Sequence, residues 1–356
     1  MARRMIDPQR WSGIAMALMS AALFGASTPL AKLLLGSIDP WLLAGMLYLG
    51  AGVGLLLVHV MRAAVRLAAP EAPLRRSDIP WMAAIVLSGG VIGPVLLMFG
   101  LARSDAASAS LLLNLEALAT MAIAWLAYRE YVDRRLLLGA AAILAGAILI
   151  SWQDGASIFS SGALLIAGAC VAWGVDNNLT RKLSTADPVQ IAMIKGIVAG
   201  IVNLTLAFAA GANIPAASIA AGAAILGFFG YGVSLALFVL ALRHLGTART
   251  GAYFSVAPFI GALTAVAAIG EHMTVQLAVA GGLMAFGLYL HLAERHAHEH
   301  VHVPMEHEHR HVHDEHHRHA HDPADPPGEP HSHRHRHERL SHRHPHFPDI
   351  HHRHPH

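Results

Sequence analysis

Six polar or charged side chains interrupt long apolar runs of the sequence, and they are the first candidates for chemistry. They are Asn114, Glu116, Asp176, Asn177, Asn178 and Lys195. Carboxylate and amide oxygens bind metal ions and other cations, and a carboxylate also takes up and releases protons. We therefore predict that these six residues bind a substrate or form a proton-coupling site.

The apolar runs around these residues exclude most classes of soluble protein. Of the 356 residues, 54% are hydrophobic and only 13% are charged, whereas a soluble domain carries about 25% charged residues. Almost all apolar residues precede residue 293, in runs long enough to cross a bilayer. A soluble enzyme, a disulfide scaffold and a nucleic-acid-binding protein are therefore not expected, and the single cysteine, Cys170, has no partner for an intrachain disulfide.

In a bilayer the six polar residues also have a structural interpretation. An ionised side chain at mid-membrane is costly unless it is paired or faces water. Lys195 can pair with Asp176 or Glu116, and such an ion pair would hold two helices together without binding a substrate. Both interpretations remain open for each residue, and we expect at least one residue to be functional.

Ten runs of about 20 residues predict ten membrane-spanning helices, because a helix satisfies its own backbone hydrogen bonds in lipid. The predicted spans are 11–36, 40–61, 79–101, 106–127, 136–152, 161–183, 189–210, 216–242, 250–270 and 275–293. The N-terminal segment 1–10 and the even-numbered connections carry most of the arginines and lysines outside the spans. By the positive-inside rule, both termini are cytoplasmic in a multi-pass protein of the cell inner membrane.

The second half of the chain repeats the first in the same order. Phe24-Gly25 in the first span matches Trp173-Gly174 in the sixth, and Leu101–Glu130 aligns without a gap with Leu242–Glu271. Because each copy has five spans, an odd number, the second copy lies upside down in the membrane. Inverted repeats of this kind are common in secondary transporters.

The repeats also define the domains. The first repeat is predicted over 11–152 and the second over 161–293, followed by a tail over 294–356. The fourth helix of each repeat ends in an equivalent glutamate, Glu130 or Glu271. These two are candidate gate residues, and capping of a neighbouring loop is the alternative.

These motifs resemble a known family. Phe24-Gly25, Trp173-Gly174 and the small-residue helix ending at Gly270-Glu271 are similar to EamA-like transporters of the drug/metabolite transporter superfamily. The resemblance implies an all-helical carrier with two inverted five-helix units around a central cavity, often an exporter of small metabolites or amino acids. The sequence departs from this pattern at Glu116, whose counterpart in the second unit is the apolar Ala257, which favours a smaller or charged substrate.

The tail is rich in histidine, arginine, acidic residues and proline and shows no hydrophobic periodicity. It cannot form a packed core, so disorder is predicted. Neutral imidazole binds nickel, cobalt, zinc and copper, and we expect the tail to bind such metals. The candidate ligands are His307, His309, His311, His313, His316, His317, His319, His321, His331, His333, His335 and His337. The alternatives are a compositional bias without a metal role and a pH-responsive polycation that contacts anionic lipid.

The sequence therefore favours a secondary transporter that exports a small solute by alternating access, with nickel, cobalt or zinc as the leading candidate. One alternative is an exporter of amino acids, metabolites or drugs whose tail is only a metal-responsive regulator. Another is a membrane metal sensor or scaffold that transports nothing. No cofactor is expected to be required, and the protein is predicted to be a monomer or homodimer in the bilayer.

The predicted topology is tested by reporter fusions. A reporter enzyme fused at Asp154 is expected outside the cytoplasm, and one fused at Thr185 inside it, because the two positions lie in consecutive connections of opposite charge bias. The measurement is the activity of a reporter that works on one side of the membrane only. Activity of both fusions on the same side would contradict the predicted spans.

Overall fold

A computed structural model describes the chain over residues 8–64, 74–128, 134–152, 160–183, 187–245 and 247–292, together with the tail segments 296–302, 305–311, 331–337 and 340–346. Up to residue 292 the described chain is helical. Nine of its helices are long and apolar enough to cross a membrane. A tenth, Ser161–Thr180, packs among them. Its hydropathy is lower because it carries Asp176, Asn177 and Asn178.

Six of the ten helices are continuous. They are α1 (Pro8–Leu34), α2 (Pro40–Ala64), α5 (Arg134–Ser151), α6 (Ser161–Thr180), α7 (Pro188–Ala209) and α10 (Val275–Leu292). A short 3-10 turn, Arg181–Leu183, follows α6. Aspartates cap two of these helices: Asp39 accepts hydrogen bonds at the start of α2, and Asp187 accepts one at the start of α7.

The other four helices are built from pieces. The helix α3 comprises a 3-10 turn (Arg76–Asp78), Ile79–Ile85, a π segment (Val86–Ile92) and Gly93–Ala102. The helix α4 comprises Ala106–Leu112 and Leu115–Tyr128. The helix α8 comprises Ala217–Gly227, a π segment (Phe228–Val233) and Ser234–Leu245. The helix α9 comprises Thr247–Phe254, Ala257–Thr264 and a π segment (Ala265–Ile269).

These interruptions fall at equivalent positions of the two repeats. The π segments of α3 and α8 contain Gly89 and Gly230, which are separated by the same 141 residues as Leu101 and Leu242. The helices α4 and α9 are both broken into half-helices, at Asn114 and at its counterpart Ser255. The repeat is therefore a property of the backbone as well as of the sequence.

The packing of the helices follows the same symmetry. The helices α2 and α7 pack against each other, as do α5 and α10, and α4 contacts α9. The helix α1 packs on α8 and α9, and its counterpart α6 packs on the counterparts of those helices, α3 and α4. Each contact has an inverted mate, which confirms the predicted fold class of two inverted five-helix repeats. The exact domain bounds remain predictions.

The two ends of the bundle can be named from the helix termini. We call the end where α1 begins the N face and the other end the opposite face. The end of α1 lies at the opposite face with the end of α3, since Lys32 Nζ donates to the carbonyl oxygens of Leu101 at 2.7 Å and Ser104 at 2.8 Å. At the N face, His291 Nε2 near the end of α10 lies 3.1 Å from the carbonyl oxygen of Leu136 in α5.

Two inter-repeat contacts fasten pairs of helices inside the membrane. Ser20 Oγ in α1 donates to the carbonyl oxygen of Ser234 in α8 at 2.7 Å, and Ser234 Oγ donates to the carbonyl oxygen of Ser20 at 2.9 Å. In the inverted counterpart, Ser88 Oγ in α3 donates to the carbonyl oxygen of Ala172 in α6 at 2.5 Å. Each bond joins one helix of the first repeat to one helix of the second.

The outer surface of the described bundle is apolar. Leu57, Leu126, Ile225 and Phe286 are more than half exposed, and large apolar patches on a protein surface indicate a membrane or protein contact. Here they lie on helices of membrane-spanning length, so lipid is the expected surrounding. The expected multi-pass membrane protein is thereby confirmed.

Four segments of the tail are described, and they pair as strands. Strand β1 (His296–His302) pairs antiparallel with β4 (Leu340–His346), and β2 (Met305–His311) pairs antiparallel with β3 (His331–His337). The register places Glu306 opposite Arg336 and Glu308 opposite Arg334. Opposite charges at facing positions favour strand pairing. Disorder of the tail as a whole stays a prediction.

The glycines where α2 crosses α7 predict a site that is intolerant of larger side chains. A Cβ on Gly52 would lie 2.7 Å from the carbonyl carbon of Gly196, and a Cβ on Gly196 would lie 2.7 Å from the Cα of Gly52. We expect Gly52→Leu to lower the thermal stability of the purified protein, since overpacking costs typically ~1–3 kcal/mol. Gly282→Leu is the matched control, because nothing lies within 4 Å of a Cβ at Gly282. Equal melting temperatures of the two variants would contradict the close approach of α2 and α7 at Gly52 and Gly196.

Candidate functional site

The break in α4 brings a carboxylate to the start of a half-helix. Asn114 lies in the break, where its Nδ2 donates to the carbonyl oxygen of Leu111 at 2.8 Å and contacts Met284 Sδ of α10 at 3.8 Å. Glu116 follows in the first turn of Leu115–Tyr128. The N-terminus of a helix carries a partial positive charge that stabilises a nearby carboxylate. The break therefore supports a negative charge in the middle of the bundle.

Glu116 is held in place by α6. Its Oε1 accepts a hydrogen bond from Asn177 Nδ2 at 3.0 Å, and the same amide nitrogen donates to Thr120 Oγ1 at 3.1 Å. Within the described chain, no basic side chain forms an ion pair with Glu116. Asn177 is exposed and Glu116 is half-buried. The carboxylate is thus oriented by an amide and a hydroxyl without being neutralised by them.

Lys195 pairs with Asp176 rather than with Glu116. The ammonium group of Lys195 in α7 forms a salt bridge with Asp176 Oδ2 in α6, and the two side chains are 19% and 7% exposed. Thr180 Oγ1, one turn further along α6, donates to Asp176 Oδ1 at 3.4 Å. Of the two ion pairs that the sequence allows, the structure contains the one with Asp176. When all three groups are ionised, Glu116 leaves the cluster with one net negative charge.

The π segment of α3 packs against the Asp176 side of this ion pair. Gly89 lies directly against the Asp176 carboxylate, so that a Cβ at this position would collide with it. The carbonyl oxygen of Gly89 accepts hydrogen bonds from Tyr48 Oη at 2.7 Å and Trp173 Nε1 at 3.0 Å. A π segment is frequently found at functional sites. Tyr48 and Trp173 were not among the predicted site residues. The sequence signals for this arrangement are the adjacent glycines of α3 and the Trp173-Gly174 motif of the repeat.

Asn178 fastens α6 to α4. Its Nδ2 donates to the carbonyl oxygen of Gly174 at 2.8 Å and to that of Thr120 at 3.0 Å. Its Oδ1 is buried and has no hydrogen-bond partner within the described part of the chain. Five of the six predicted residues, all but Asn114, therefore lie on α6 or contact it from α4 and α7, and Asn114 lies at the break of α4.

The structure describes one of the two predicted gate residues, Glu271. Glu271, just after α9, accepts hydrogen bonds from the backbone nitrogens of Ala106 at 2.7 Å and Ala107 at 2.8 Å, at the start of α4. It therefore caps a helix, which is the alternative role, and it does so across the two repeats at the opposite face. Glu130 lies outside the described residues.

The candidate tail ligands are only partly described. His313, His316, His317, His319 and His321 lie outside the described residues. His307, His309 and His311 of β2 occupy positions directly opposite His335, His333 and His331 of β3. His337 stands opposite Met305. In the part of the chain that the structure describes, no group of three His, Cys, Asp or Glu side chains forms a metal-ligand set.

A cavity of about 410 Å³ lies at the opposite face, away from the polar cluster. It is lined by residues at the ends of α1, α3 and α5 and at the starts of α4 and α6, including Lys32, Arg103 and Asp105. None of the six predicted residues lines it. The polar cluster and this cavity are therefore separate features of the described bundle.

The ten-helix bundle of inverted repeats, with charged groups at a helix break, defines a membrane transporter of small solutes. The chain belongs to the EamA-like transporter family, which matches residues 11–152 and 160–293. The predicted membership of the drug/metabolite transporter superfamily is thereby confirmed, and the family describes transporters rather than enzymes.

One known protein is similar to this chain in sequence, and one solved structure is similar to it in fold. An "Uncharacterized transporter" of Methanothermobacter thermautotrophicus is 29% identical over 284 residues, which cover 75% of this chain and 82% of that protein. A solved crystal structure shares the fold with a TM-score of 0.57 and 19% identity, covering 78% of this chain and 95% of the other.

The Asp176–Lys195 pair predicts a strongly non-additive double mutant. Asp176→Asn leaves the Lys195 ammonium without its partner, and Lys195→Met leaves the Asp176 carboxylate without its own. We expect each to lower the thermal stability, and the double variant to recover most of it, with a coupling energy of roughly 0.5–3 kcal/mol. Thermal unfolding of the four purified proteins measures this coupling. Additive losses would show that the two groups stabilise the fold independently.

Proposed function

We propose that the chain exports a small, positively charged solute by alternating access, with a divalent transition-metal ion (nickel, cobalt or zinc) as the leading candidate. Membership of a transporter family supports the movement of a small solute. The positive charge of that solute is inferred from one observation: Glu116 is oriented by Asn177 and forms no ion pair with a basic side chain within the described residues.

The groups around Glu116 suit a cation. A carboxylate, an amide and a hydroxyl are ligands that borderline and hard metal ions accept, and Thr120 supplies the hydroxyl beside Asn177. A cation bound here offsets the one net negative charge of the cluster: an ammonium group neutralises it, and a divalent ion leaves one net positive charge. The neighbouring Asp176 is already neutralised by Lys195 and serves in this proposal to position α6.

In this proposal, the broken helices α4 and α9 allow the solute site to open to one side of the membrane at a time. In secondary transporters, solute sites lie where discontinuous helices of two inverted repeats meet, and the repeats rock around the site. Glu116 lies directly after the break of α4, and α9 is broken at the equivalent position. A solute at Glu116 is thus held by a half-helix whose other half belongs to the opposite face.

The charge bias of the connections gives the orientation of the chain in the membrane. The N face carries the arginine-rich loops and is cytoplasmic by the positive-inside rule, in an inner membrane. The histidine-rich tail, which follows α10 at this face, would then collect metal ions or sense their concentration beside the cytoplasmic entrance. This tail role is separate from transport through the bundle.

An amine-bearing metabolite is the second candidate. A single carboxylate flanked by an amide and a hydroxyl offers an ammonium group one charge and several hydrogen-bond acceptors, as Glu116, Asn177 and Thr120 do. For such a substrate the tail would regulate the carrier in response to metal. Amino acids and small amines therefore belong in the same substrate panel as the metal ions.

The substrate is identified by flux into proteoliposomes that contain the purified full-length chain. We expect flux of nickel, cobalt or zinc, and we expect cells that lack the protein to accumulate more of the same ion. Flux of amines or amino acids without metal flux would replace the leading candidate by the second. The absence of flux for every member of the panel would favour a sensor and contradict the proposal.

Glu116 is tested in the same assay. Glu116→Gln keeps the hydrogen-bonding shape but removes the charge, so flux is expected to fall at least tenfold. Asp39→Asn is the matched control, since it also neutralises a carboxylate but retains a side chain that caps α2. A chain ended after Glu294 is expected to keep flux through the bundle. Unchanged flux in Glu116→Gln would remove this residue from the site.

A further inference from the structure

The start of α3 and the end of α6 bring basic and aromatic side chains together at the N face. Ile79–Ile85 of α3 packs on α6. Lys182, in the 3-10 turn after α6, lies over the ring of Trp81 in α3, with its Nζ 5.4 Å from the ring centroid. Arg76 begins the 3-10 turn that runs into α3, about one and a half turns before this ring. We call Arg76, Trp81 and Lys182 the basic corner.

The backbone of the basic corner is fixed by apolar packing. Met82 and Leu183, the residues directly after the tryptophan and the lysine, are buried in one apolar cluster. Leu74 packs against the same cluster, and its backbone nitrogen donates to Gln190 Oε1 of α7 at 3.1 Å. The chain is therefore held in place on both sides of the cation–π contact, and α3, α6 and α7 all contribute to it.

The two cationic groups of the corner have no acidic partner. Arg76 and Lys182 are exposed, and within the described residues neither forms an ion pair with a carboxylate. The nearest acidic residue in sequence, Asp78, accepts hydrogen bonds from the backbone nitrogen of Arg75 at 2.8 Å and from Ser77 Oγ at 3.3 Å. Its carboxylate is thus used to cap the turn, and both cations remain available to an anion.

The corner lies where a membrane-spanning helix leaves the bilayer. The span formed by α3 begins at Arg76, and tryptophan is enriched at the interface between lipid and water. Trp81 is 40% exposed and Ile79 beside it is 62% exposed. Cationic groups, an amphipathic ring and an apolar side chain therefore follow one another along the chain. A phospholipid presents its phosphate, glycerol and acyl chain in the same order.

The inverted repeat shows that helix packing does not require these charges. The helix α8 corresponds to α3 with a spacing of 141 residues, and α6 corresponds to α1 with a spacing of 149 residues. The counterparts of the basic corner at the opposite face are Ala217, Gly222 and Leu33. Here too the helices pack, Ala217–Gly227 against α1. The same arrangement therefore forms without a cation or an aromatic ring, and the basic corner needs another explanation.

We propose that the basic corner binds the headgroup of an anionic phospholipid in the leaflet at the N face. Arg76 and Lys182 bind the phosphate, since guanidinium and ammonium groups are the usual protein partners of phosphate. Trp81 lies at the level of the glycerol, and the acyl chain runs along Ile79. Basic pockets between membrane helices bind anionic headgroups in this way. The lipid joins a helix of the first repeat to a helix of the second, whatever solute is transported.

Trp81 serves as its own reporter of the bound lipid. The purified full-length chain is placed in phosphatidylcholine vesicles with increasing fractions of brominated phosphatidylglycerol, or of brominated phosphatidylcholine, since bromine quenches tryptophan fluorescence on contact. The same titrations with Trp81→Phe give the signal of the other tryptophans, and the difference isolates Trp81. We expect phosphatidylglycerol to quench Trp81 at a much lower fraction than phosphatidylcholine does.

The charges are tested one at a time. Arg76→Gln and Lys182→Gln are each expected to lower the preference for phosphatidylglycerol about fivefold, which corresponds to the ~1 kcal/mol that one basic residue contributes at a membrane surface. The double variant is expected to lose roughly the product of both factors. Arg103→Gln is the matched control, because Arg103 lies at the opposite face over the ring of Phe99, 5.6 Å from its centroid.

Three results would overturn the proposal. The first is equal quenching of Trp81 by the two lipids. The second is an unchanged preference in the double variant, or an equal loss in Arg103→Gln, either of which would reduce the effect to the overall charge of the chain. The third is displacement of the lipid by inorganic phosphate but not by chloride at the same ionic strength, which would assign the corner to a free anion. None of these measurements requires solute flux.

Discussion

Hydrocarbon offers no hydrogen-bond partners, so every polar group inside the membrane must find its partner within the protein. The described bundle meets this requirement at the π segment of α3. The carbonyl oxygen of Gly89 in the π segment of α3 receives the Tyr48 hydroxyl and the Trp173 indole. Asn203 donates in the same way to the carbonyl oxygen of Gly90 at 3.0 Å. This interruption is thus supported by neighbouring helices, and it lies beside the Asp176 carboxylate.

The backbone is nearly symmetric, whereas the chemistry is not. Glu116 of the first repeat corresponds to Ala257, and Asp176 of the second corresponds to Ser27, which packs against Gly230 as Asp176 packs against Gly89. The two half-sites therefore share a shape but differ in charge. Alternating access requires packing surfaces of similar shape in both repeats. The residues that bind a solute are required in one repeat only. The duplication leaves one copy of each position free to specialise.

Much of the fold was predictable because hydropathy and repetition act over long stretches. The ten spans, the inverted repeats and the cluster of Glu116, Asp176 and Asn177 all follow from averages or from the cost of a charge in lipid. The choice of Asp176 over Glu116 as the partner of Lys195 was not predictable, since it depends on how α6 is rotated against α7.

Local hydrogen-bond geometry was also not predictable from the sequence. The π segments of α3 and α8 keep the apolar composition of ordinary helices, and only the glycines around Gly89 and Gly230 mark them. The backbone partners of Glu271 lie in the other repeat, at Ala106 and Ala107. The strands of the tail arise from pairing between segments far apart in sequence, which composition does not reveal.

The hydroxyl bonds between α1 and α8, and between α3 and α6, show that the two sequence repeats are not two folding units. Ser20 and Ser234 satisfy each other across the repeats, and Ser88 reaches the backbone of α6. A chain divided in the connection between α5 and α6 would leave these hydroxyls facing lipid in both fragments. During biosynthesis, the hydroxyls of the first repeat therefore gain their partners only after the second repeat has been inserted. Insertion into the membrane thus precedes the assembly of a native core.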